Sequence, residues 1–234
     1  MANYTQFPEW DAGYLDLIDA ETSFVSQTWS RSVALKWPPE GADVEWNQVA
    51  ARVPDRPARQ QEILDEDKDL ERALWPLIQS LSISGATAAN WAQKLPDTWH
   101  LLLVATFDLR PGLFQLKQKF NRARPIHIPG AQIGSTVIPT PGHPAYPGGH
   151  AAQGQMALLL MRDGVGVKPG LMGGIQSAAD RVTDNRVVAG IHFPSDSLAG
   201  QRVADQFVPM LLASGPFRQL CDNARTELRP YGVI

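Results

Sequence analysis

Cysteine is nearly absent from this sequence: Cys221 is the only one in 234 residues. An intramolecular disulfide is therefore excluded, and so is a zinc site built on paired cysteines. A lone thiol fits a reducing compartment. With no activating neighbour in sequence, it reads as buried filler. Long apolar runs are also missing. The longest, at 101–107, falls far short of the roughly 20 residues of a spanning helix, so no membrane crossing is expected. The start, Met-Ala-Asn-Tyr-Thr-Gln-Phe-Pro-Glu-Trp, lacks the basic opening and apolar stretch of a secretory signal. As it stands the chain reads as cytoplasmic, or as periplasmic or secreted if a signal has been removed. Neither charge dominates: 21 Lys and Arg face 24 Asp and Glu, a net charge of −3. That balance gives no field for a nucleic-acid partner, so any basic site has to be a local concentration. Strand patterns of period two are almost absent.

What is present is mostly helical. The length suffices for one well-buried core, and one domain over 1–234 is expected. An irregular arm rich in Trp and Pro occupies 1–56, with a helix around 12–28. Trp29, Trp37 and Trp46 read as core residues. From Pro57 onward Ile63, Leu64, Leu70, Leu74, Leu77, Ile78 and Leu81 recur at helical spacing, with Pro76 as a kink. The acidic run 65–69 between them reads as a solvated face. Asp97 is expected to cap a helix reaching Leu109, and Pro111 to open the next. Further helices are expected at 150–163, 170–190, 195–213 and 216–226. The stretch 124–149 is dense in Pro and Gly. A loop that long inside a compact domain is usually functional.

Three blocks carry chemistry. In the first, Lys117 and Arg124 stand seven residues apart, two helical turns, so they are expected on one helix face ending at Pro125. In the second, Gly148 and Gly149 precede His150 at the start of a helix. There the backbone can approach a ligand closely and unpaired N–H groups favour an anion. In the third, Arg186 precedes His192, and Asp196 follows four residues later. A carboxylate on one ring nitrogen fixes the tautomer and leaves the other as nucleophile or ligand. Taken singly, each block has an ordinary structural explanation: a solvated basic pair, a glycine turn, a local hydrogen bond. Taken together they describe a site for a tetrahedral oxyanion.

The three blocks resemble the signature of the superfamily joining type 2 phosphatidic acid phosphatases, bacterial class A acid phosphatases and vanadium-dependent haloperoxidases. That signature reads Lys, six residues, Arg-Pro; Pro-Ser-Gly-His; and Ser-Arg, five residues, His, three residues, Asp. Lys117, Arg124-Pro125, Pro147, Gly149-His150, Arg186, His192 and Asp196 match it in order and spacing, within about 110–205. The first 100 residues carry no such likeness. Gly148 and Asn185 depart from it, each standing where the family has or often has Ser. A serine hydroxyl at 148 would add a charge-assisted hydrogen bond of roughly 1.5–3 kcal/mol, so Gly148→Ser is expected to tighten oxyanion binding.

The resemblance implies an all-α helical bundle of the acid phosphatase/vanadium haloperoxidase type, with the oxyanion-site core over 110–205. It implies two chemistries in one cage. As a phosphoric monoester hydrolase needing no metal or cofactor, His192 is the nucleophile, Asp196 its partner and His150 the general acid and base. Lys117, Arg124, Gly148, Gly149 and Arg186 hold the oxyanion. As a bromoperoxidase-like haloperoxidase, vanadate is the cofactor and His192 its ligand. His143, seven before His150, then sits beside the cage or at a halide site. The chain length matches the soluble phosphatases, so hydrolysis of a small phosphorylated substrate is the leading expectation. The haloperoxidase is the alternative, and a non-catalytic phosphate- or vanadate-binding protein is a third reading. A homo-oligomer is compatible with all three.

Overall fold

A computed structural model describes residues 4–39, 43–130 and 133–234, with the side chains of Asp43 and Val44 left aside. In chain order the helices are α1 (Ala12–Leu15), α2 (Asp43–Ala50), α3 (Arg56–Glu66), α4 (Leu70–Gln79), α5 (Trp91–Lys94), α6 (Pro96–Phe120), α7 (Gly149–Leu159), α8 (Pro169–Val188), α9 (Pro194–Ala213) and α10 (Gly215–Leu228). Among the described residues there is no strand, only an isolated bridge between Gln6 and Arg122. None of the helices is long and apolar enough to cross a membrane.

α7 packs most extensively on α9 and then on α8, while α6 packs on α10 and α4 on α8. Small residues permit the close approach of α7. A Cβ at Gly200 of α9 would lie 2.1 Å from the Gly148 carbonyl oxygen, an impossible overlap. Gly154 of α7 faces Ala179 of α8, where a Cβ would meet the Ala179 Cβ at 3.6 Å. The main core joins Leu101, Leu102, Leu109 and Leu113 of α6 with Met156, Val203, Phe207, Leu211 and Phe217. Each such side chain, fully buried, contributes about 1.5–3 kcal/mol. Cys221 belongs to this core, and burial pushes its thiol up to about 11, which leaves it unreactive at neutral pH.

Several expectations change. Within 12–28 the arm is helical only at Ala12–Leu15, and its other α-helix is the short α2. Its backbone is instead satisfied by α6: Ser23 and Phe24 N–H donate to the buried Asp108 carboxylate, both at 2.7 Å. Trp29 lies flat on Gly112, where a Cβ would come within 2.2 Å of the indole, and its Nε1 donates to Asp108 O at 3.1 Å. Trp37 is 58% exposed rather than core, resting edge-on against Phe120. α6 runs unbroken through Pro111. The carbonyl deprived of its donor there belongs to Phe107, on the exposed side of the helix, where water can serve it. α6 then stops at Phe120, because Asn121 takes a left-handed conformation (φ 48°), which asparagine tolerates. Arg124 therefore lies beyond the helix and shares no helical face with Lys117. The acidic run is divided as well. Asp69 caps α4 by accepting from Arg72 N–H at 2.7 Å, but Glu66 is buried rather than solvated.

Candidate active site

A cavity of about 330 Å³ opens where α6, α7, the loop before α7 and the turn before α9 converge. Lys117, Arg124, His143, Gly149, His150 and His192 all line it. The chain reversal at Asn121 brings Arg124 back over Lys117, doing what a shared helix face was expected to do.

The His192–Asp196 pair is the most constrained part. Asp196 Oδ2 lies 3.2 Å from His192 Nδ1 and accepts from Phe193 N–H at 2.8 Å. Its Oδ1 accepts from Arg122 at 2.7 Å. On the other side of the ring, Arg124 Nη1 stands 3.2 Å from Nε2. Arginine cannot accept, so Nε2 is the acceptor and Nδ1 carries the proton toward Asp196. Burial, with Arg124 and Lys117 nearby, lowers the ring's pKa to about 3 despite Asp196. The imidazole is therefore neutral at ordinary pH, with a lone pair on Nε2. Asp196 is held below its usual range against the cost of its burial, chiefly by Arg122 and then by His192.

Lys117 and Arg124 are buried cations in backbone settings. Lys117 Nζ donates to the carbonyls of Pro144, Ala145 and Pro147 at 2.8, 3.2 and 2.7 Å. All three ammonium hydrogens are thus used, and they clamp the loop leading into α7. Burial and the charge of Arg124 pull the lysine pKa well down. Arg124 donates to His143 O at 3.0 Å and Ile191 O at 2.9 Å, joining the loop to the turn before α9. Burial lowers its pKa to about 10.

His143 is half-buried and packs edge-on against Tyr14 and Phe114. Its Nδ1 lies 3.0 Å from Pro144 O and 3.2 Å from Arg124 Nη2. These are alternative bonds of its two tautomers, since one needs a donor and the other a lone pair. Burial, then Lys117 and Arg124, push its pKa far down. His150 sits half-buried in the first turn of α7. Burial lowers its pKa well below normal, followed by Arg186, His192, Arg124 and Lys117. Among the described residues, the N–H groups of Gly149 and His150 have no hydrogen-bond acceptor, as expected at a helix start.

Two expected oxyanion residues are placed differently. Gly148 N–H is already bonded to Asp196 O at 2.8 Å, so it is not turned to an anion. A Cβ at 148 would also come within 3.0 Å of that same oxygen. The glycine thus serves the close contact between α7 and α9, and the tighter binding expected of a serine does not follow. Arg186, in the last turn of α8, stands behind the cavity wall. Its Nη2 donates to Glu66 at 2.7 Å, and its Nη1 to Asp67 at 3.3 Å. Its buried Nε has no acceptor among the described residues. Asn185 donates to the other Glu66 oxygen at 2.7 Å, so this departure from the serine pattern anchors the carboxylate that holds Arg186.

Sequence reasoning missed Arg122 and Glu45. Arg122 is buried between Asp196 Oδ1 and Glu45 Oε2, each at 2.7 Å, with its guanidinium 4.2 Å over the Phe193 ring. Glu45 also accepts from Ser195 N–H and Oγ at 2.7 Å. An arginine two residues before Arg124 was a visible signal. Nothing in the pattern around Glu45, 77 residues away, pointed to it.

A search of solved structures finds a bacterial vanadium-dependent iodoperoxidase with TM-score 0.57 and 17% identity, over 81% of this chain and 53% of that one. A bacterial vanadium-dependent chloroperoxidase in its apo form matches with TM-score 0.53 and 15% identity, over 100% of this chain and 62% of that one. The chain thus spans little more than half the length of these neighbours. No protein-family profile matches the sequence, and no curated protein does. The chain shares the all-helical fold of these two vanadium-dependent haloperoxidases.

Proposed function

We propose that this chain is an oxyanion-handling enzyme that hydrolyses phosphoric monoesters with His192 as nucleophile. The observation carrying this reading is the His192 ring, tied by Nδ1 to Asp196 and carrying a lone pair on Nε2 beside Arg124 in the cavity wall. In the first step Nε2 attacks phosphorus, the N–P bond forms and the ester P–O bond breaks. A substrate bound as its monoanion supplies the proton that His150 passes to the leaving oxygen. Asp196, kept ionised by Arg122, stabilises the cationic phosphoimidazole. In the second step His150 takes a proton from water, whose oxygen attacks phosphorus. The N–P bond breaks, and its electron pair returns to Nε2. Lys117, Arg124 and Arg186 set a positive potential around the transferring group, and the Gly149 N–H is oriented to donate to it.

The test is p-nitrophenyl phosphate hydrolysis in the presence of a chelator. His192→Ala should lower kcat by at least about 10³-fold, and the wild type should yield an acid-labile phosphoprotein on quenching. No phosphate release by a folded protein at any pH from roughly 4 to 9 sinks this reading.

A second reading is favoured by the fold neighbours, which are a vanadium-dependent iodoperoxidase and a chloroperoxidase. The residues fit vanadate, a tetrahedral oxyanion like phosphate. His192 Nε2 would ligate it, with Lys117, Arg124 and Arg186 balancing its charge, and the orphaned Arg186 Nε is a donor in reserve. Bound vanadate supplies peroxide activation for halide oxidation. Vanadate-dependent halogenation of a phenolic dye by peroxide, together with a rise in Tm on adding orthovanadate, would favour it over hydrolysis. A rise in Tm with phosphate or vanadate but no turnover in either assay points to the non-catalytic reading.

A further inference from the structure

The cavity continues past the oxyanion end. α6 contributes Arg110, Leu113, Phe114 and Lys117 to its wall, a single helical face. At 1.5 Å per residue, Arg110 stands about 10 Å along the axis from Lys117. Between them the wall is apolar. Phe114 stacks on Tyr14, with centroids 5.7 Å apart and an interplanar angle of 8°, and Leu113 and Leu17 line the same stretch. Arg110 and Gln153, which lies one turn beyond Gly149 on α7, line the same cavity.

Arg110 differs from the other cations of the site. Lys117, Arg122, Arg124 and Arg186 are each bonded to carbonyls or carboxylates. Among the described residues, Arg110 makes no hydrogen bond or ion pair. Its guanidinium only rests 5.1 Å over the Phe107 ring. It is half-buried, and burial alone lowers its pKa. The Gln153 amide is likewise without a protein partner among the described residues and half-buried. A planar guanidinium fork and an amide facing one cavity suit a carboxylate. Among the described residues the one carboxylate lining the cavity, Asp67, is engaged by Arg186.

We infer that Arg110 and Gln153 form a second anion-recognising subsite, and that the substrates are phosphate monoesters bearing a carboxylate across a ring-sized apolar body. This rests on the phosphomonoesterase reading of the same cavity. At about 330 Å³ the cavity is at the small end of small-molecule sites, which suits one ring with an acid at each end.

Calorimetric titration with non-hydrolysable phosphonates tests the subsite apart from turnover. The full chain should bind 4-phosphonobenzoate at least about tenfold more tightly than phenylphosphonate. Arg110→Met should erase that preference and leave phenylphosphonate affinity within about twofold. Gln153→Leu, which leaves the α6 face intact, should reduce the preference several-fold. Equal affinity for the two phosphonates in the wild type overturns the inference, and so does a preference that survives Arg110→Met. Tighter binding of 4-(aminomethyl)phenylphosphonate would make the cavity select a cation and overturn it too. If neither phosphonate binds, the oxyanion reading itself fails and this subsite with it.

Discussion

At the scale of single residues, the candidate site depends on who neutralises whom in a buried space. Arg122 is placed between two buried carboxylates, Asp196 and Glu45. Removing it would strand both. Arg122→Met should therefore cost about 3–5 kcal/mol in urea unfolding, and more than Arg122→Lys, which keeps the charge. If Arg122 acts through Asp196, a folded Arg122→Lys enzyme should also show an acid limb of activity shifted to higher pH, because Asp196 loses the bond that keeps it ionised. A merely structural arginine would leave that limb in place. Gly148→Ser is a second test. Its Cβ would press on Asp196 O, so we expect lower stability, by about 1–3 kcal/mol, and no gain in phosphate affinity by calorimetry. Unchanged stability with tighter binding would restore the serine-donor expectation.

Titration belongs to this scale too, and its sign can be worked out. His192 has a folded pKa of about 3, below its ordinary 6.5. Between those values the unfolded chain binds the proton and the folded chain does not, so stability falls as pH drops through that window. His143 and His150, both depressed, act in the same direction. Asp196, depressed as a carboxylate, loses its contribution as pH falls through its own folded pKa. Glu66 and Asp67 act oppositely, since burial raises both. The four depressed histidines, His127 among them, outnumber these two, so the urea midpoint should drop between about pH 7 and pH 4. For His192 alone the linkage is on the order of a few kcal/mol, and His192→Asn should flatten the slope.

At the scale of elements, the contact of α7 with α9 positions the chemistry. α7 carries Gly149 and His150, α9 carries Asp196, and Gly148 and Gly200 are where the two meet. A methyl at 200 would overlap the Gly148 carbonyl, and relief requires moving the start of α7. Gly200→Ala should therefore destabilise by about 1–3 kcal/mol or more and lower activity beyond the stability loss, read as kcat at a temperature where the variant is folded. The arm behaves as an element although it is largely non-helical. Trp29 fastens it to α6, and Tyr14 and Leu17 reach the cavity from it. Trp29→Ala should cost about 3–5 kcal/mol and weaken small-ligand binding through the displaced arm.

At the scale of the whole molecule, an anion that binds only the folded chain must stabilise it. Phosphate or orthovanadate at 100 times its Kd should add about 2.7 kcal/mol, visible as a concentration-dependent rise in Tm. The Arg186→Met protein should show a smaller rise if that arginine's field reaches the anion. The helices from 149 onward were legible because their apolar periodicity and their flanking Pro and Gly agree. The single helix through Pro111 was not, because tolerance of that proline depends on which side of α6 meets water. The acidic run at 65–69 was misread for a related reason. Its charges look solvated in one dimension, and only the approach of α8 shows that Glu66 has Arg186 and Asn185 as partners.

The sequence alone determined the helical class and the pairing of His192 with Asp196, because periodicity and spacing along a chain control contacts made within a turn or two. The grouping of Lys117, Arg124, His150, Arg186, His192 and Asp196 was an expectation carried by the resemblance of three separate motifs. Only the tertiary structure decided that Lys117 clamps a loop, that Gly148 spaces two helices, and that Arg122 and Glu45 stand behind Asp196. It also decided that Arg110 lines the same cavity as Lys117 with no hydrogen-bond or ion-pair partner among the described residues. Those roles depend on contacts between residues distant in sequence, on burial that changes the worth of each charge, and on which hydrogen bonds are already taken.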